Sequence, residues 1–140
     1  MIANARGRAV CLLVAALCAL ATGCGSGLYP VEGVIHFDDG RPAAELAGGF
    51  VTFQSLEQDV SSQGVIRPDG RFTLSTKAEA DGASPGHYRV LVSQPPFRGS
   101  ERERAPEIID RRYSNPQTSE LEATVEAQHN QLTLTVVRGK

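Results

Sequence analysis

Val65-Ile66-Arg67-Pro68-Asp69-Gly70-Arg71-Phe72-Thr73-Leu74 decides how this chain folds. Pro68 presets φ for the first central position of a turn. Asp69 suits the second, and Gly70 suits the left-handed position that follows. Phe72 and Leu74 then alternate with polar Arg71, Thr73 and Ser75, which is strand periodicity. A β-branched residue in place of Gly70 is expected to be costly, because only glycine takes φ > 0 without a steric penalty. The segment reads as a hairpin, with Val65 and Ile66 on its first arm.

The same period of two recurs on both sides, and helical periodicity does not. Upstream, Val31, Gly33, Ile35 and Phe37 alternate with Glu32, Val34 and His36, and Asp38-Asp39-Gly40 marks a turn. Val51 and Phe53 alternate with Thr52 and Gln54, and a polar stretch runs from Ser55 to Ser62. Downstream, Lys77 to Pro85 is a polar loop, and Tyr88, Val90 and Val92 line one face of the strand that follows. Pro95-Pro96 stops that strand, since neither residue can donate to a ladder. Phe97 to Arg112 is a long loop of interleaved charges. Leu121, Ala123 and Val125 alternate next. His129-Asn130-Gln131 turns the chain, and Leu132, Leu134 and Val136 mark the last strand. These are seven strands at short spacing, expected to pack as two antiparallel sheets in an all-β sandwich with a Greek-key topology.

Residues 1–23 have the parts of an export signal. Arg6 and Arg8 give a positive start, Ala9–Ala21 an apolar run too short to span a bilayer, and Gly23 a small residue before a cut. Ala21-Thr22-Gly23-Cys24 resembles a bacterial lipobox, with alanine where leucine is commonest. That resemblance implies cleavage between Gly23 and Cys24 and lipidation of Cys24 with acyl chains such as palmitate. It also implies a lipoprotein held in a membrane of the cell envelope. Gly25, rather than aspartate, at the next position implies the outer membrane. Residues 24–28 then form the lipidated cysteine and a short tether, and 29–140 the domain. Four extended residues reach only about 14 Å, so the domain is expected to sit close to the bilayer. All three cysteines (Cys11, Cys18 and Cys24) lie in the leader or at its end, leaving the domain without a thiol nucleophile or a disulfide. Past residue 23 there are 12 basic and 16 acidic residues, a net charge of −4, which excludes non-specific nucleic-acid binding.

Several motifs in order resemble the carboxypeptidase regulatory-like domain, a transthyretin-like Greek-key sandwich. They are Val31-Glu32-Gly33-Val34, Asp39-Gly40-Arg41-Pro42, Gly49-Phe50-Val51-Thr52-Phe53, Asp69-Gly70-Arg71-Phe72-Thr73-Leu74 and Gly86-His87-Tyr88-Arg89-Val90. Ile109 to Leu121, with Tyr113-Ser114-Asn115-Pro116 and Thr118-Ser119, is similar to the closing segment of small envelope lipoproteins carrying this domain alone. The resemblance covers Tyr29 to about Val137. It implies an accessory, connector or interaction module with no catalytic residues to carry over.

The residues themselves point the same way. His36, His87 and His129 share no metal-binding spacing and are expected to face solvent or a turn. Asp38, Asp39 and Asp69 fit turn capping better than a calcium loop. Ser93, Ser100 and Ser114 sit in no nucleophile elbow. Phe97-Arg98-Gly99-Ser100 resembles the Tyr-Arg-Gly-Ser of the hydroxyisourate hydrolase branch of the transthyretin superfamily, but lacks the tyrosine hydroxyl and is internal. No catalytic residue, cofactor or metal is expected. The expected function is non-catalytic display of loops to an envelope protein or surface polymer, with Phe97, Arg98, Arg102, Arg104 and Arg111 as contacts. Exposed strand edges are further acceptors for a partner strand. The rival readings are a purely structural envelope lipoprotein and a cryptic transthyretin-like hydrolase.

Overall fold

A computed structural model describes residues 27–100 and 102–140. It is all-β. Seven strands are β1 (Val31–Phe37), β2 (Phe50–Ser55), β3 (Ser61–Val65), β4 (Arg71–Thr73), β5 (Gly86–Ser93), β6 (Glu122–Val125) and β7 (Asn130–Val136). The only helical pieces among the described residues are two single turns of 3-10 helix, Ala44–Leu46 and Arg111–Ser114. The strands form a three-stranded sheet in the order β4-β1-β7 and a four-stranded sheet in the order β3-β2-β5-β6.

Alternation places the core between these sheets. Val31, Ile35, Phe37, Phe72, Leu134 and Val136 come from one sheet, and Val51, Phe53, Tyr88, Val90, Val92 and Val125 from the other; all are buried. The ring of Phe53 lies 6.1 Å from Phe72 of the facing sheet and 5.8 Å from Tyr88. Each such side chain contributes about 1.5–3 kcal/mol by leaving water.

Three expectations need correcting. First, the turn at Arg67–Gly70 forms, with Gly70 at φ +78° and its amide donating to the Arg67 carbonyl, but its arms do not stay paired. β3 bonds to β2 and β4 bonds to β1, so the chain changes sheets here. Beyond the Arg67–Arg71 bond that closes the turn, the backbones of the two arms meet at Gln63 and Ser75, which exchange bonds of 2.9 and 2.8 Å. Gly64 permits that close passage, since a Cβ there would lie 2.5 Å from the Thr73 carbonyl oxygen. Second, the sheets are not both antiparallel. β1 and β7 run parallel in unbroken register from Val31–Asn130 to Phe37–Val136. A parallel pair needs a long crossover, and these first and last strands have the whole intervening chain as theirs. Third, the polar stretch from Ser55 ends in a strand, because Ser61 and Ser62 belong to β3.

The turn placed at His129–Gln131 also sits earlier. Asn130 is the first residue of β7, is 5% exposed, and closes the connection from β6 with its side chain. Its amide nitrogen donates to the carbonyls of Gln128 (2.7 Å), Glu126 (3.0 Å) and Pro30 (3.4 Å), and its oxygen accepts from the Glu126 amide (2.8 Å).

Candidate interaction surface

The molecule has two ends. Gly27–Pro30, Leu56–Val60, Thr76–Pro85 and the turn before Asn130 gather at one. Tyr29 bridges Ala83, the Asn130 amide bonds to Pro30, and Gly86 at the start of β5 pairs with Val125. β5 then runs eight residues, about 26 Å, to the other end. There Ser93 pairs with Phe50, and the Gly48 amide bonds to the Ile66 carbonyl. The long charged segment leaves from this far end.

That segment has a pinned base and an exposed tip. The Gln94 side chain spans the base, donating to the Pro106 carbonyl (2.8 Å) and accepting from the Ile108 amide (3.1 Å). Ile109 and Tyr113 are buried, and Ile109 bridges Arg138. The Tyr113 hydroxyl accepts from the Val137 amide (3.0 Å) and from the Arg112 guanidinium (3.1 Å), which holds Arg112 firmly in its charged form. The Asp110 carboxylate accepts from the Arg112 amide and opens the 3-10 turn. The region expected to be one loop therefore ends in ordered structure. Its tip, Phe97–Ser100 and Arg102–Pro106, is exposed.

The expected contact residues divide accordingly. Phe97, Arg98, Arg102 and Arg104 project from the tip, and Arg98, Arg102 and Arg104 make no ion pair with a described residue. Arg111 belongs to the base, 3.3 Å from Glu107. Nearby on the outer face of the four-stranded sheet, Phe50 and Val65 are cross-strand partners and remain 37% and 54% exposed. They border an open groove of about 670 Å³ that Gln63, Arg67, Thr73 and Thr76 also line. Gly23 and Cys24 lie outside the described residues.

The histidines do not converge. His87 lies 3.9 Å from Glu57, His129 lies 3.4 Å from Glu32, and His36 is half-buried beside its bridge partner Pro42, not fully solvent-facing as expected. No group of three metal-binding side chains occurs among the described residues. Ordered hydroxyls serve the fold: Ser119 donates to the Val90 carbonyl, Ser114 to the Arg111 carbonyl, and Ser62 meets Thr76. Asp81 accepts from the amides of Thr76, Lys77 and Ala78, and the first of these does most to hold its carboxyl below the usual range. Burial raises the Tyr88 phenol, with the Glu57 charge adding to the effect. The alternation missed half-buried Arg89, which pairs with Glu122 (3.2 Å) and donates to the Ser119 (3.0 Å) and Pro116 (3.3 Å) carbonyls, because its position faces away from the core. No protein-family model matches this chain, and no curated protein does.

Proposed function

We propose that this chain is a non-catalytic lipoprotein of the bacterial envelope. Its residues 1–23 are an export signal, Cys24 carries the lipid, and its domain is a Greek-key sandwich of the carboxypeptidase regulatory-like kind. The observation that carries the reading is the opposition of the two ends. Residue 27 enters at one end, and the exposed tip with Phe97, Arg98, Arg102 and Arg104 leaves from the other. A lipid three residues before Gly27 then holds that tip about 26 Å out from the anchored end, facing an envelope protein or surface polymer. The charges suit this posture. Glu57, Asp59, Glu79, Asp81 and Glu126 outnumber Lys77 in the loops of the anchored end, so anionic head groups add no attraction of their own, and the short tether alone, about 14 Å at most, keeps that end near the bilayer. The strand orders β4-β1-β7 and β3-β2-β5-β6 are consistent with the Greek key.

Cells given a fatty-acid probe should label the wild-type chain and not Cys24→Ser. Equal labelling of the two proteins removes the anchor, and with it the display reading.

A further inference from the structure

Among the described residues β7 is the outer strand of its sheet, with β1 on one side and no strand on the other. In a parallel pair alternate residues bond to the neighbour. The Asn130 amide bonds to Pro30 and the Val136 carbonyl accepts from Asp38, so the even-numbered residues face β1. The N–H and C=O groups of Gln131, Thr133 and Thr135 consequently point away from it. Beyond Thr135 the lane is filled: Val137 bonds to the Tyr113 hydroxyl and the Asp110 amide, and Arg138 bridges Ile109. Gln131–Thr135, about 17 Å long, is thus an unpaired edge.

The other edges are guarded. β3 and β4 close on each other at Gln63–Ser75 and at the Arg67–Arg71 bond. β6 is short, contains Glu122, and is followed by Glu126. β7 has no charge, no proline and no break in register, the devices that ordinarily block strand addition. A second observation marks the same side. The partly buried apolar residues on the core are Ile108, Leu121, Ala123 and Leu132, and all four sit on β7, on β6, or on the segments that lead into or flank them.

We infer that the β7 edge takes an extended segment of another polypeptide as a fourth strand of the three-stranded sheet. Alternating outward N–H and C=O groups are satisfied in register only by an extended backbone. The partner would carry apolar side chains at alternate positions, to cover Leu132 and its neighbours. It would carry a basic residue where it passes Glu126, just before β7. A second copy fits less well, and here the inference rests on the display reading. Antiparallel pairing of β7 with itself would send the two anchored ends in opposite directions, whereas one bilayer needs them together. An edge of about 17 Å is also short for two rigid domains, whose stable interfaces bury about 1,200 Å² or more.

The test uses the full chain in detergent and a synthetic peptide, Lys-Thr-Val-Thr-Val-Thr-Val, with an N-methylated copy as control. Amide hydrogen exchange should be fast at Gln131, Thr133 and Thr135 in the chain alone, and should slow about tenfold or more with about 1 mM peptide. Thr133→Pro removes an N–H that bonds to nothing in the sheet, and should abolish this slowing while the chain still melts cooperatively. Thr133→Lys keeps the N–H but puts a charge on the edge, and should weaken the slowing where proline unfolds the strand. Unchanged exchange at saturating peptide, or equal slowing by the N-methylated peptide, overturns the inference. Slowing that grows with chain concentration and needs no peptide makes a second copy the occupant and overturns it too. Loss of fatty-acid labelling leaves this result untouched, so the anchor and the edge fail separately.

Discussion

Asn130→Ala should destabilise the domain by about 2–3 kcal/mol. The side chain is 5% exposed and makes four hydrogen bonds, three of them within 3.0 Å. A neutral hydrogen bond contributes about 1 kcal/mol net, and the 3.4 Å bond to Pro30 is discounted. Glu126 and Gln128 are exposed, so water recovers part of what they lose, and the Pro30 carbonyl keeps the Asn130 backbone amide at 2.8 Å. Those two facts hold the estimate near its lower half. Urea unfolding of residues 25–140 is the assay. With a slope of about 1–3 kcal/mol/M, the midpoint should fall by about 1–2 M at constant slope. Asn130→Asp separates the donor from the acceptor. Its carboxylate would face the carbonyl oxygens of Gln128 and Glu126, which raises its folded pKa above the unfolded value of about 3.9. A raised pKa contributes stability below the unfolded value and loses it as pH rises through the folded one. The variant should therefore be weakest near neutrality and recover toward wild type in acid. A midpoint within 0.3 M of wild type for the alanine variant (roughly half a kcal/mol), or an aspartate variant that weakens further in acid relative to wild type, would refute the network as the lock on this connection.

Two further outcomes follow from local geometry. Gly70→Ala should cost about 1–2 kcal/mol or more, from its positive φ and from a Cβ that meets the Ile35 carbonyl oxygen at 3.0 Å and the Ala43 nitrogen at 3.1 Å, and Gly70→Val should cost more still, because it adds two γ-methyls to that crowded position; equal urea midpoints for wild type and Gly70→Val would contradict this. Asp81, held below the usual carboxylate range mainly by the Thr76 amide, adds stability in full above the unfolded carboxylate value and loses it as pH falls through its own lower one. Acid titration of stability should be shallower in Asp81→Asn, and an unchanged curve would remove Asp81 from the acid response.

What the sequence revealed and what it hid divide along the distance over which each feature is determined. Whether a side chain faces in or out depends on its immediate neighbours in a strand. Val51 and Phe53, Phe72 and Leu74, and Tyr88, Val90 and Val92 were accordingly legible from alternation and are all buried. The Gly70 turn is equally local. Pairing is not. Val31 meets Asn130 across the whole domain, and no alternation within either segment says that β1 and β7 run parallel. β3 was hidden for a related reason: the residues it turns inward are Ser62 and Gly64, so its strand character comes from the ladder with β2 and not from hydrophobic contrast. In the charged segment, Ile109 and Tyr113 could be seen to dock, but the Gln94 clamp at its base could not, because a glutamine before Pro95-Pro96 carries no signal of its own.

The β7 edge lies further still from what alternation can disclose. Gln131–Val136 is uncharged in any fold, and in the middle of a sheet that would be unremarkable. It acquires meaning only once the strand is last in its sheet and the adjoining lane, among the described residues, is empty up to Thr135 and filled beyond it. An edge is defined by a neighbour that is not there. The same logic separates the two candidate surfaces. The arginine tip is exposed and charged, contributes little to stability, and suits long-range attraction with modest affinity. The edge has fixed geometry, unpaired backbone groups and partly covered apolar side chains, so it can supply affinity and register. A partner drawn in by one and held by the other would touch the far end and one side of the sandwich.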